Sequence, residues 1–378
     1  MLSGKVNLVV DLGNSETRIY VLYGGKKAAF SLSNRFYDLD SNYVISDEFN
    51  EDNTNIFSIE GFERVATGYL VEREFSMISI RPTALDKKYE SITSKFSMNY
   101  ALFVAHKYLM ETYAKPADEI DVTFDVTVLL PPEDIDKGAK LISELIKDIK
   151  VLNFEMPDFR KEVNIETVRV LPEGFCAYIG VLMSAGLKIR ESHKALIGAT
   201  TLVVDIGAGT SDFCIIKDNK VIEDTRYSCE VGGNNISQRV RKALRQDKIS
   251  CTEQELQEAV IKGTIHDGAK ELDITNIVEN AKEFVASSII NEIKGFFEST
   301  QYPIRSIQYL LVCGGGTLEP ENGNMNALSS YLVKYMKNLS PNIALVDLPK
   351  VKTEEGEVTV SPRRLNIMGA TILTEGKK

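Results

Sequence analysis

Leu202-Val-Val-Asp-Ile-Gly-Ala-Gly-Thr-Ser211 echoes the earlier stretch Leu8-Val-Val-Asp-Leu-Gly-Asn-Ser15. Each is an apolar strand running straight into an Asp-x-Gly turn. A second strand-like run follows in both cases, Thr17 to Tyr23 and Phe213 to Ile216. The aspartates, Asp11 and Asp205, lie 194 residues apart in a chain of 378. That spacing is far longer than the period of a solenoid repeat. The echo therefore predicts two similar domains facing each other, and the chain length fits two cores of ordinary size.

Outward from the two hairpins, strands alternate with helices. Val122 to Leu130 reads as a strand stopped by Pro131-Pro132, and Glu133 to Ile149 as an amphipathic helix after that stop. Val168 to Leu171 is a strand ending at Pro172, with a helix expected from Glu173 to Ala185. Phe284, Val285, Ile289, Ile293 and Phe296 recur at helical spacing, and Ile307 to Cys313 is a strand feeding Gly314-Gly-Gly316. Such alternation predicts an α/β class with helix-covered sheets. Two polar or charged stretches break the rhythm, residues 34–96 and 245–280, and are expected to be small inserted subdomains. The predicted division is a first domain over 1–172, rejoined by a returning helix at 362–378, and a second over 173–361.

The chemistry-bearing residues cluster at the glycine turns. In Asp11-Leu-Gly-Asn-Ser15, Gly13 lets backbone N–H groups approach a phosphate, and Asn14 and Ser15 add side-chain donors. A carboxylate at the strand end can hold Mg²⁺ through water. Asp-x-Gly after a strand is also an ordinary turn. The second copy is richer: Gly207, Ala208, Gly209 and Thr210 lie between Asp205 and Asp212, which suits a loop around a polyphosphate and its metal. Two opposed phosphate loops imply a nucleotide held in an interdomain cleft. Gly314, Gly315 and Gly316 would let backbone approach a flat base or ribose. Gly232 and Gly233 open a helix that would border the nucleotide. Glu173 is expected in the first turn of a helix, where the macrodipole stabilises a carboxylate and where it could orient water toward a γ-phosphate. Neither Gly-x4-Gly-Lys-[Ser/Thr] nor Gly-x-Gly-x-x-Gly occurs, so phosphate binding must rest on the paired hairpins.

Composition narrows the classes. With 44 Lys and Arg against 54 Asp and Glu, the net charge of −10 disfavours direct contact with nucleic acid. The basic run Arg239-Val-Arg-Lys-Ala-Leu-Arg245 reads first as a solvated helix face. The five scattered cysteines form no C-x-x-C pair and read as reduced, mostly buried thiols. The three histidines are far apart and read as structural. No apolar run approaches the ~20 residues of a membrane span, and the first residues lack the pattern of a signal peptide. A cytoplasmic location is expected.

Five motifs then carry a resemblance. Asp11–Thr17, Leu171–Ala177, Asp205–Asp212, Leu310–Leu318 and Asn366–Ala370 stand in the order found in the superfamily of actin, heat-shock chaperones and sugar kinases. They resemble its phosphate 1, connect 1, phosphate 2, adenosine and connect 2 motifs, and the set spans essentially the whole chain. Within the superfamily the chain most resembles bacterial actin-like ATPases of the plasmid-segregation (ParM) type. The resemblance implies an actin-like fold of two ribonuclease-H-like domains flanking a nucleotide cleft. It implies that Asp11 and Asp205 position Mg²⁺ through water and that the backbones of 13–15 and 207–211 hold the phosphates. It further implies that Glu173 helps orient the attacking water and that Gly314–Gly316 flank the adenosine. Leu129-Leu-Pro-Pro-Glu133 is a rival for connect 1; small residues at Gly174 and Ala177 favour Glu173, with a matching small-residue helix at Gly369 and Ala370.

The function implied is a head-to-tail filament that assembles with ATP, or GTP, and Mg²⁺, hydrolyses the nucleotide, and reaches plasmid DNA through a DNA-binding adaptor. Polymer contacts are expected at the insertions, 34–96 and 245–280. A small-molecule kinase of the same superfamily and an actin-like cell-shape or division protein are the alternatives. A kinase would need an extra carboxylate base, and none stands out beyond Glu173.

Overall fold

In the computed structural model, the strand Leu2–Leu12 buries Val6, Leu8, Val9 and Val10 completely. Apolar residues pointing to both faces need cover on both sides, which places such a strand inside a sheet. It is the middle of five, in the order Asn164–Pro172, Ile120–Leu130, Leu2–Leu12, Glu16–Tyr23, Lys26–Ser33. The pairings to Glu16–Tyr23 and on to Lys26–Ser33 are antiparallel; those on the other side are parallel. The helix Ile92–Tyr113 lies on this sheet, with Phe96, Leu102 and Leu109 in its core. The structure describes all residues except 1, 47–48, 50–53, 77, 83–86, 114–119, 156–158, 269, 321–324, 354–355 and 377–378.

Contacts divide the chain into two units, one of Met1–Leu130 and Asp134–Pro172, the other of Pro131–Glu133 and Glu173–Gly376. The second unit repeats the hairpin plan. Thr201–Ile206 pairs antiparallel with Ser211–Lys217 and parallel with Tyr309–Cys313, as Leu2–Leu12 pairs with Glu16–Tyr23 and Ile120–Leu130. Alternate side chains of Thr201–Ile206 enter different cores, Leu202 and Val204 one and Val203 another. The first core is closed by the helices Gly233–Gln246, Glu253–Lys262, Thr275–Thr300 and Leu328–Leu339. The second is closed by Phe175–Leu182 and Leu365–Glu375.

Two features differ from the sequence reading. The segment 34–96 does not make its sheet alone: the strands Phe36–Asp38, Phe62–Gly68 and Thr54–Ile59 are extended by Val151–Phe154 and Phe159–Glu162. The helix Leu365–Glu375, expected to return to the first domain, packs within the second unit. Glycines set that contact. A Cβ on Gly369 would come within 1.7 Å of the Cys176 carbonyl oxygen, and one on Gly180 within 2.6 Å of that of Leu365. Only bare backbone allows the two helices so near each other. In the stretch 245–280, the helix Glu253–Lys262 is followed by the hairpin Thr264–Asp267 and Lys270–Asp273.

Candidate phosphate-binding loops

In the first unit the ladder pairs Asp11 with Arg18 and Leu12 with Thr17, leaving Gly13, Asn14, Ser15 and Glu16 as the turn. The Gly13 N–H donates to the Asp11 carbonyl at 3.1 Å. A Cβ there would lie 2.6 Å from the Glu16 carbonyl oxygen, so the turn admits no side chain at this position. The Asp11 carboxylate is buried and accepts from Arg18 Nη1 at 3.3 Å, while Arg18 also pairs with Glu16. Behind the turn, Asn34 donates to the Gly13 carbonyl and accepts from Thr17 Oγ1 at 2.7 Å and Ser97 Oγ at 2.9 Å. Asn14 and Ser15 keep part of their surface open.

In the second unit the ladder stops at Ile206–Ser211, leaving Gly207–Thr210 as the loop, closed by the Gly207 N–H on the Thr210 carbonyl at 2.8 Å. Two other glycine segments seat on it. The N–H groups of Gly233 and Asn234, which begin a 14-residue helix, donate to the Gly207 and Ala208 carbonyls at 3.0 and 2.7 Å. Gly316 lies so close that a Cβ would fall 1.9 Å from the Gly207 carbonyl oxygen. Gly314, at φ 94°, is pressed against Asp205 and Ile206, where a Cβ would approach within 2.3 Å. Gly232, Gly233, Gly314 and Gly316 are buried, so their part is to build the loop's foundation. Gly315 is exposed, and Gly207, Ala208, Gly209 and Thr210 remain partly open to a ligand.

Asp205 sits at the centre of this layer. It is 5% exposed, and its carboxylate accepts from Asn366 Nδ2 on the helix Leu365–Glu375 and from the Cys313 thiol. Burial first, and then the Asp205 charge, drive the Cys313 thiol well above its ordinary pKa; Cys214 beside it is pushed up to about 12 for the same reasons. Both thiols thus stay neutral beside an aspartate. Asp212, also buried, accepts from Ser228. Glu173 is 6% exposed and adds to the negative charge felt by Cys313, which brings it to the same neighbourhood. It lies two residues before the helix Phe175–Leu182, outside the expected first turn, because Gly174 at φ 29° redirects the chain against Cys214. Glu133 is exposed.

Among the described residues no three His, Cys, Asp or Glu side chains gather as a metal cluster. The donor set still fits a hard cation held largely by water and phosphate. Asp205 supplies a buried carboxylate, and Asn366 Oδ1 beside it is buried with no hydrogen-bond partner among the described residues. Asn34 and Arg18 escape motif reading, whereas Asn366 opens the fifth motif, whose pattern does not mark it as the partner of Asp205. Arg18 has a sequence signal, since a four-residue turn between Leu12 and Thr17 puts it opposite Asp11 in the hairpin.

Residues 203–322 match the family model for the C-terminal part of archaeal MreB-like actin homologues. Among curated protein sequences none matches. Solved structures match along the whole chain. The actin-like protein Alp7A superposes with a TM-score of 0.70 at 17% identity, covering 99% of this chain and 97% of its own. Bacillus thuringiensis ParM with ATP gives 0.64 at 15% identity, with 99% and 100% covered. A 15-stranded ParM filament from Clostridium botulinum gives 0.63 at 17%, with 99% covered in both. At these identities the likeness is one of backbone architecture, and it extends over both hairpin-bearing units: this chain has an actin-like fold.

Proposed function

We propose that this protein is a filament-forming ATPase of the ParM type, which assembles with bound ATP and Mg²⁺ and hydrolyses the nucleotide. The observation that carries the reading is the layer around Asp205. Two glycine segments distant in sequence are stacked so tightly on one glycine loop that side chains are sterically forbidden, and they leave the loop's own backbone open. Selection of backbone over side chain at so many points suits a polyphosphate cradle. The solved ParM structures with ATP and in filament form support the same reading by their fold.

In this reading the backbones of 13–15 and 207–210 hold phosphate oxygens, with Gly314–Gly316 beside the adenosine. Asp11 and Asp205 hold Mg²⁺ through water, and the ion would neutralise phosphate charge. Glu173 orients the attacking water and receives its proton, a role in keeping with a carboxylate fixed by burial. Asn366 holds Asp205 in place and Asn34 holds the first turn. ATP is the proposed nucleotide, with GTP the competitor to test beside it. A cytoplasmic role in plasmid segregation through a DNA-binding adaptor is the finer proposal. Electron microscopy and sedimentation with Mg²⁺ and ATP, GTP or no nucleotide provide the test. Filaments and phosphate release with ATP are expected, and nucleotide binding with neither would overturn the reading.

A further inference from the structure

Asp205 is fixed on three sides within the second unit. Its Oδ1 faces Gly314, where a Cβ would stand 2.3 Å away, its Oδ2 accepts from Asn366 Nδ2, and the Cys313 thiol donates to the carboxylate. Asn366 is clamped in turn. It is the second residue of the helix Leu365–Glu375, and the Leu365 carbonyl just before it lies against Gly180 of the helix Phe175–Leu182. Just upstream, the Pro362 carbonyl accepts from the Gly314 N–H at 3.2 Å. The Asn366 side chain is 6% exposed, and its amide nitrogen is committed to Asp205.

The other end of that amide is unanswered. Asn366 Oδ1 is buried and has no hydrogen-bond partner among the described residues. Buried polar atoms are ordinarily paired, so an orphan calls for a ligand or a water. Phosphate oxygens and carboxylates only accept hydrogen bonds, so neither can answer a carbonyl oxygen. The donor must also tolerate the negative charge of Asp205 and Glu173 close by. A water in the shell of a divalent cation meets both conditions, since the ion turns the water's protons outward and is itself attracted by carboxylates. We infer that Asn366 is a positioning residue for the metal, Nδ2 setting the Asp205 carboxylate and Oδ1 accepting from a water in the same ion's shell. This role rests on the proposed site for nucleotide and Mg²⁺, and it adds to that site an amide outside both phosphate hairpins. Residues that orient a metal's ligands without touching the ion typically change its affinity about 10- to 100-fold when replaced.

Nucleotide binding with and without the metal tests it. The Kd of a non-hydrolysable ATP analogue in EDTA, divided by its Kd in Mg²⁺, reads what the ion adds, and calorimetry measures both. Asn366→Ala should lower this ratio about tenfold or more, with the loss on the Mg²⁺ arm. Asn366→Leu fills the same seat and carries the same expectation if the alanine chain does not fold. Asn366→Asp keeps the oxygen, gives up the donor and adds a charge near the ion, so its ratio should hold or rise. Its thermal midpoint without ligand should fall, because two carboxylates then face each other. A purely structural asparagine, or one bonded to an ordinary buried water, would cost stability in every variant and leave the ratio unmoved, which would overturn the role. Equal losses of the ratio in Asn366→Ala and Asn366→Asp would overturn the part given to Oδ1. If the unaltered protein binds the analogue no better with Mg²⁺ than in EDTA, the metal site fails and the role of Asn366 with it. If it prefers Mg²⁺ but forms no filaments, the filament reading fails alone and the ratios still decide Asn366.

Discussion

Asp205 is the penultimate residue of a strand whose six residues are all buried, and Glu173 is brought beside the same strand by the turn at Gly174. If Glu173 orients water, Glu173→Ala should lower ATP turnover by about 10²- to 10⁴-fold while ATP affinity stays within a few-fold. Single-turnover phosphate release and equilibrium binding, measured on the same preparation, separate the two; equal losses in both would assign Glu173 to binding. A second residue-scale prediction concerns His106, which is 4% exposed, packs edge-on to Phe159 and has no partner for Nε2 among the described residues. Burial, with Lys161 adding to it, lowers its pKa from 6.5 to about 4. The unfolded chain takes up this proton at the higher value and the folded chain at the lower one. Stability from this group is therefore complete above the higher value and is lost as pH falls through the window to the lower. The loss amounts to about 3 kcal/mol. Urea midpoints across that window should fall less steeply in His106→Leu than in the unaltered protein.

At the scale of elements, the loops and helix pairs depend on close backbone approach. Gly316→Ala would force a methyl group to within 1.9 Å of the Gly207 carbonyl oxygen, and the loop must shift to admit it. We expect a loss of about 1–3 kcal/mol in stability and a larger proportional loss in ATP affinity, read by denaturation and nucleotide titration. Gly369→Val should separate the helices Phe175–Leu182 and Leu365–Glu375, because the Cys176 carbonyl lies 1.7 Å from where its Cβ would stand. Its lowered thermal midpoint, without a matching change for an exposed control such as Gly295→Ala in the same unit, would place the damage at that packed interface. The sequence points to both glycines through small-residue patterning. Which carbonyl each one faces is a matter of how the helices cross, and no local pattern encodes that.

For the whole molecule, if one nucleotide is held by both hairpins as proposed, each unit's aspartate is necessary for ligand stabilisation. At a hundredfold excess over its Kd, ATP with Mg²⁺ should stabilise the protein by about 2.7 kcal/mol. Asp11→Ala and Asp205→Ala should each abolish most of that gain, and calorimetry with and without nucleotide checks it. The sequence by itself determined the paired strand–turn–strand hairpins, the α/β class, and the positions of Asp11, Asp205 and the glycine turns. Those features are local: a buried apolar run, a turn needing glycine and a carboxylate at a strand end are written in neighbouring residues. Tertiary structure decided that Gly207–Thr210, Gly232–Gly233 and Gly314–Gly316 form one stacked layer, that Asn366 holds Asp205 and Asn34 holds the first turn, and that Val151–Phe154 and Phe159–Glu162 join the smaller sheet. Each of these joins residues far apart in the chain. Their proximity follows from how sheets and helices pack, which single-sequence periodicity does not record.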